Sequence, residues 1–284
     1  MNISVAAKSD VGRRMSNNED SYLVQPDLKL FIVADGMGGH LAGEVASKLA
    51  VDVICENIRK TKDGQTSVQF GEYESMLSKR ANELVSSIRI ANSVIREIGQ
   101  SREEYKGMGT TVAATYVLDR TVIAAHVGDS RIYRIRDRTM EQLFEDHSLI
   151  NQQIRMGLIT EQEAENSPMK GIITEALGAR ESVLVDVDEL EALEGDYYLL
   201  CSDGLTDLVD EDEMLDVVLR HTDDLRRVCE ELVSMANERG GRDNITVLVL
   251  GIRNVALHHG VLYRIAERGA TFLDSVISSL RRVL

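Results

Sequence analysis

An α+β fold is predicted for this chain from three observations. Short, apolar and often β-branched runs dominate the sequence. They come in the order strand, strand, two helices, strand, strand, instead of alternating with helices as in a doubly wound sheet. Several are apolar at successive positions, as strands buried on both faces are.

Taken in order, Ser21 to Val24 and Leu30 to Ala34 read as the first strands. Leu41 to Ile58 comes next with helical periodicity, and Lys60 to Gly71 is a polar loop. A second helix is expected over Tyr73 to Ile98, with Met76, Leu84, Val85, Ile88, Val94, Ile95 and Ile98 on its apolar face. Thr111 to Val117 and Val122 to Val127 are the next strands. His147 to Gly178 mixes short helical stretches with Pro168 and several glycines, as an inserted segment does. Tyr197 to Cys201 and Ile245 to Ile252 are strands on either side of a helix from Leu225 to Ala236. The acidic stretch from Glu181 to Asp216 reads as solvated surface. The composition shifts after Asn254, which divides the chain into residues 1–254 and an extension, 255–284.

With 284 residues, 43% hydrophobic and 28% charged, the chain has enough apolar material for a large core, which excludes disordered and collagen-like classes. Its net charge of −15 repels phosphate backbones, so nucleic acid is not an expected partner. Cys55, Cys201 and Cys229 are odd in number and widely spaced, which suits reduced thiols in the cytoplasm and matches no zinc spacing. The N-terminus lacks a basic segment followed by an apolar one, and no apolar run reaches the ~18 residues of a membrane span. Neither export by that route nor a transmembrane segment is expected.

The chemistry concentrates at strand ends. LKLFIVADG, TVIAAHVGDS and DYYLLCSDG each finish an apolar run in an aspartate beside a glycine or a serine, at Asp35, Asp129 and Asp203. RDNITVLVLGI places Asp243 just before its run, and NNEDSYLV does so with Glu19 and Asp20. In an antiparallel sheet the ends of some strands lie beside the starts of others, so these carboxylates can share one edge. Two carboxylates ~4 Å apart repel by roughly 4 kcal/mol at an effective dielectric near 20. Such a gathering calls for cations, and oxygen donors without Cys or His pairs select magnesium or manganese over zinc. A binuclear site of this kind acidifies water and holds a phosphoryl oxygen, which is hydrolysis without a covalent intermediate.

Asp-Gly between apolar runs is also a hairpin signal. Asp35-Gly36 and Asp203-Gly204 lead into segments that read as helix starts, which weakens the hairpin reading there. At Asp129 a simple turn between strands stays open. Gly36, Gly38 and Gly39 allow close backbone approach, as a main-chain carbonyl ligand or a tight strand-to-helix turn requires. Neither this segment nor KGMGTTVAAT carries a nucleotide-loop ending.

In order, SDVGRRMSNNEDS, FIVADGMGGHLAGEVAS, GMGTTVAA, AAHVGDSRIYRI, LCSDGLTDLV and GGRDNITVLVL resemble the motifs of the metal-dependent protein serine/threonine phosphatases of type 2C, the PPM family, in its bacterial branch. The resemblance covers roughly Ile3 to Arg253. It implies a four-layer α-β-β-α sandwich of two antiparallel sheets flanked by helices, with the site at one end. By position, Asp35 would bridge two core Mn2+ or Mg2+ ions, with the Gly36 carbonyl on the second. Asp203 and Asp243 would complete the first, and Glu19 would act through a water on the second. Asp129 and Asp203 would hold a weaker third ion, with Asp207 as an extra ligand and Asp20 behind the ligand shell. The reaction implied is hydrolysis of phosphoserine and phosphothreonine in proteins, the targets of a bacterial-type Ser/Thr kinase, by a metal-activated water.

Two positions depart from the family pattern. The arginine that usually clamps the substrate phosphate, four residues before the motif glutamate, is Met15 here, leaving Arg13 and Arg14 as candidate phosphate ligands. Met37 follows Asp35-Gly36, as is common in the bacterial branch, and His40 is assigned no role. Met15 alone favours a second reading, a weakly active or regulatory module on the same scaffold. His147 to Gly178 corresponds to the family's flap, whose Ser148, Asn151, Gln152 and Arg155 either touch substrate or form a solvated helix face. In the extension, Val261, Leu262, Ile265, Phe272, Leu273, Val276, Ile277, Leu280 and Leu284 recur near helical spacing. That helix would dock a partner, mediate dimerisation, anchor at a membrane interface, or fold back on its own domain.

Overall fold

Successive residues of one strand feed two different cores, and that alternation sets the architecture. The computed structural model describes residues 1–38, 42–65, 70–165, 167, 169 and 171–253. Its strands and helices run β1 (Asn2–Asp10), β2 (Asp20–Gln25), β3 (Leu30–Met37), α1 (Ala42–Lys62), α2 (Lys79–Ser101), β4 (Gly109–Thr110), β5 (Val112–Leu118), β6 (Thr121–Val127), β7 (Arg131–Arg136) and β8 (Thr139–Gln142). They continue through α3 (Leu149–Arg155), α4 (Glu161–Glu165), β9 (Asp186–Glu191), β10 (Tyr197–Cys201), α5 (Asp203–Thr206), α6 (Glu211–Arg220), α7 (Leu225–Glu238) and β11 (Ile245–Arg253).

On β3, Leu30, Ile32 and Ala34 pack with α1 and α2, whereas Phe31 and Val33 point the other way. On β11, Ile245, Val247 and Val249 pack with α6 and α7, whereas Leu248, Leu250 and Ile252 meet Phe31 and Val33 in the middle. The result is helices, sheet, sheet, helices, with an apolar core at each of the three interfaces. One sheet has the order β1-β11-β10-β7-β8 and the other β2-β3-β5-β6-β9, with β4 added against β3. Their paired strands are antiparallel. The predicted α+β sandwich is the observed one.

Several expectations shift in detail. The second helix begins at Lys79, not Tyr73, because Ser78 caps it by accepting from Ala81 N. The Asn82 side chain ties down the preceding turn through Glu74 N and the Glu74 and Leu77 carbonyls, leaving Met76 almost fully exposed. The Glu181 to Asp216 stretch is not uniformly solvated: β10 is fully buried within it, and Asp196 is buried against Arg136. The short helical stretches expected between His147 and Gly178 are α3 and α4 among the described residues. His40, Gly39, Pro168 and the extension 255–284 lie outside the described residues. Among the described residues no helix is long and apolar enough to cross a membrane.

Candidate metal centre

Register brings the acidic residues to one end of the sandwich. β2 starts opposite the end of the β3 core, pairing Asp20 with Asp35. β10 ends at Cys201, two residues before Asp203, beside Val247 of β11, which itself starts two residues after Asp243. Asp129 sits in the connection from β6 to β7, and these strands belong to different sheets. The turn read at Asp129 is therefore a crossing between sheets and not a hairpin. Asp203 opens α5, and Asp35 lies within a strand that continues to Met37, so neither Asp-Gly makes a hairpin.

Electrostatics agree with the convergence. Burial, followed by the charges of Asp20, Asp203, Asp129 and Asp243, pushes Asp35 well above the ordinary carboxylate range. Burial together with Asp243 and Asp207 raises Asp203 to about 6, and burial with Asp203 and Asp146 raises Asp129 to about 8. Asp20 rises to about 7, chiefly by burial, against the lowering bonds from Thr246 and Ser202. Glu19 is raised by burial, Asp243 and Glu44. The cluster grades outward: Asp20 and Asp129 are buried, Asp35 and Asp203 half-buried, and Asp207 and Asp243 exposed. It is a cleft with an open mouth.

The backbone around it is built for close approach. A Cβ on Gly36 would lie 2.1 Å from the Gly43 carbonyl and 2.6 Å from the Glu19 carbonyl, and one on Gly204 would lie 2.1 Å from the Asn244 carbonyl. Only glycine fits at either place. Asp35 is held through its backbone, its N–H donating to Thr111 Oγ1 and its carbonyl accepting from Thr111 N and Thr110 Oγ1. Asn244 joins two distant acids: its Oδ1 accepts from Glu19 N at 2.7 Å, and its own N–H donates to Asp243 Oδ1 at 2.7 Å. Ser202 Oγ donates to Asp20 Oδ2 at 2.8 Å. These supports at Thr110, Thr111, Ser202 and Asn244 escaped the sequence reading, although Ser202 and Asn244 adjoin Asp203 and Asp243 and both threonines lie in GMGTTVAA.

Two buried carboxylate oxygens, Asp203 Oδ1 and Asp20 Oδ1, have no hydrogen-bond partner. Acids that repel one another, orphaned anionic oxygens and an all-oxygen donor set fit hard divalent cations. A second grouping lies apart from this cleft: His126, His147 and Asp186 place one ligand atom each within 4.8 Å of one another. Sequence spacing gave no hint of it.

Arg13 and Arg14 lie beside the chain at Gly241 to Asp243. Both backbone N–H groups donate to the Gly241 carbonyl, which sets the arm beside Asp243, and both side chains are exposed. Among the described residues neither guanidinium is in an ion pair. Met15 is 40% exposed and offers no donor. Of the flap candidates, Ser148 and Asn151 line a cavity of about 110 Å³ together with Asp129, Asp203 and Asp207. Arg155 instead pairs with Glu145 and lines a different cavity.

Comparison with known proteins agrees with this geometry. The sequence model of the family described as protein phosphatase 2C matches residues 12–248. A serine/threonine phosphatase of Listeria welshimeri is 39% identical over 246 residues, covering 86% of this chain and 93% of its own. The crystal structure of the Mycobacterium tuberculosis serine/threonine phosphatase PstP/Ppp superposes with a TM-score of 0.77 at 32% identity, covering 89% of this chain and 99% of the other. The PstP catalytic domain in complex with two manganese ions superposes with a TM-score of 0.74 at 32% identity, over 89% and 99%.

Proposed function

The chain belongs to the protein phosphatase 2C family and is a serine/threonine protein phosphatase dependent on manganese or magnesium, and from that premise we propose how its own residues divide the work. Asp35, the Gly36 carbonyl, Asp203 and Asp243 would hold two core ions, with Glu19 acting on the second through a water, and Asp129, Asp203 and Asp207 would hold a weaker third. The orphaned oxygens of Asp203 and Asp20 and the mutual repulsion of the acids support that assignment. When bound, such ions acidify water and draw charge from the phosphoryl oxygens.

The protein's part is positioning. Thr110 and Thr111 fix the Asp35 backbone, and Asn244 keeps Glu19 and Asp243 at a set separation, so the donor atoms are preorganised. Arg13 and Arg14, free of ion pairs among the described residues, supply charge-assisted donors to the phosphate of a phosphoserine or phosphothreonine. The chain's net charge of −15 disfavours a phosphopeptide everywhere except where cations and arginines reverse the local field. Ser148 and Asn151 border the path to Asp203, although Ser148 also caps α3 and Asn151 Nδ2 donates to the Asp146 carbonyl.

The substrates we infer are phosphoproteins made by a bacterial-type Ser/Thr kinase, in the cytoplasm. Three cysteines without a disulfide support that compartment. Residues 1–254 form the catalytic domain, and 255–284 are an extension for dimerisation or partner docking. The observation that carries the reading is the convergence of Asp35, Asp203 and Asp243 on one cleft. Its test is hydrolysis of a phosphothreonine peptide and of a small aryl phosphate, with manganese and with chelator. Both activities are expected with manganese and neither with chelator. Turnover that persists in chelator would overturn the assignment. The exposed Met15 favours a graded version of the second reading: aryl phosphate turnover without peptide turnover would place the defect in the phosphate clamp.

A further inference from the structure

The connection carrying Asp129 is gripped from outside the cleft by His147. Its backbone N–H donates to the Gly128 carbonyl at 2.7 Å, and its ring Nδ1 accepts from the Gly128 N–H at 3.2 Å. Both polar groups of the residue before Asp129 are thus bound by one side chain and its own backbone. On the other side of Asp129, Arg131 is tied by a bidentate pair to Asp146, the residue before His147. Gly128 has φ +105, and a Cβ there would lie 2.6 Å from Thr111, so only glycine fits where the connection passes the sheet. His147 also accepts from Thr174 N through its carbonyl, which anchors it to the far end of the flap segment.

The tautomer is set by these partners. Because Nδ1 accepts a backbone N–H, the ring proton sits on Nε2, which donates to Asp186 Oδ2 at 2.9 Å. That speaks against a metal on His147 Nε2, since with Nδ1 accepting from Gly128 the ring would then have to be a fully deprotonated imidazolate. A metal-bound histidine normally donates from its other nitrogen. His126, with neither ring nitrogen hydrogen-bonded, stacks on Phe144 at 5.5 Å and lies tilted against His147 at 4.9 Å. It acts as a wall that keeps the His147 ring in place.

We propose that His147 is a positioning residue for Asp129: Asp186 fixes its tautomer, and its Nδ1 and backbone N–H hold Gly128 so that the Asp129 carboxylate faces Asp203. This rests on the assignment of Asp129 to the weaker ion. His147 touches neither substrate nor reacting atoms, so its effect is carried entirely by the geometry of that one ligand.

The test is calorimetric manganese binding to the full chain, alongside the manganese dependence of phosphothreonine-peptide hydrolysis. His147→Ala is expected to weaken the weaker binding class roughly tenfold or more, as loss of a ligand-orienting partner does, while leaving the tight class unchanged. His147→Asn, whose Oδ1 can take the place of Nδ1, is expected to recover most of the loss. Asp186→Ala, at a partly exposed position, is expected to shift the same constant in the same direction and serves if His147→Ala does not fold. In an Asp129→Asn background, His147→Ala is expected to add nothing. An unchanged weak class in both His147→Ala and Asp186→Ala, no recovery in His147→Asn, or additive losses would overturn the proposal. A weak class lost in Asp129→Asn but kept in His147→Ala would overturn it while leaving the Asp129 assignment standing. A weak class kept in Asp129→Asn would overturn both.

Discussion

At the scale of single residues, the acids that make the site are in conflict with the fold. Asp20, Asp129 and Asp203 have pKa values of about 7, 8 and 6 in the folded chain against an ordinary value of 3.8. A raised folded pKa means that the folded state binds the proton more tightly. Each contribution is therefore complete below about pH 3.8 and is lost as the pH climbs through the folded value. In chelator the thermal midpoint is expected to fall between about pH 5 and pH 8.5, by several degrees, and manganese at the upper pH is expected to restore it. A midpoint that rises over that range would contradict this linkage. The same conflict makes Asp203→Asn informative: it should cut manganese-dependent turnover by ~10³-fold or more yet raise metal-free stability by roughly 1–3 kcal/mol, read by urea unfolding. These acids were legible because each adjoins an apolar run in the sequence. Asn244 was not, because its role is to bridge Val11, Asn17 and Glu19 to Asp243 across more than two hundred residues.

At the scale of elements, strands buried on both faces were legible, and of the edge strands only β2 was. β3, β5, β6, β10 and β11 are apolar at successive positions because layers cover both their faces. β8 (TMEQ) and β9 (DVDELE) lie at sheet edges and carry the polar composition that keeps an edge from pairing with another chain. No pattern rule sees them. Nor does a turn signal say which sheet the next strand joins, which is why the crossing at Asp129 had to come from the structure. The proposed phosphate clamp lies on the arm between β1 and β2. Met15→Arg is expected to lower KM for a phosphothreonine peptide by about 5- to 30-fold, the ~1–2 kcal/mol of a new charge-assisted bond, with kcat little changed. Arg13→Ala is expected to raise it. An unchanged KM in both would move the phosphate clamp off this arm.

For the whole molecule, the sandwich closes at Arg253. β11 pairs with β1 on one side and β10 on the other, and Arg253 Nη2 donates to Tyr197 Oη at 2.7 Å and to the Thr222 carbonyl at 3.0 Å. The family match ends at residue 248, and among the described residues the three cores are built from positions up to Ile252. A chain ending at Asn254 is expected to fold and to retain peptide turnover within about twofold, and light scattering reports whether molar mass per particle changes with the cut. A truncated chain that is insoluble would mean the extension covers this domain instead. The four-layer order came from the family resemblance that the motifs carry, whereas the pairing of particular strands depended on the period-2 division of each strand between cores.

Hard cations at the acidic cleft are the central requirement, and anomalous scattering from a manganese-soaked crystal tests it most directly. The predicted result is two strong peaks within bonding distance of Asp35, the Gly36 carbonyl, Asp203 and Asp243, with a weaker one near Asp129. Manganese among His126, His147 and Asp186 with an empty acidic cleft would contradict it.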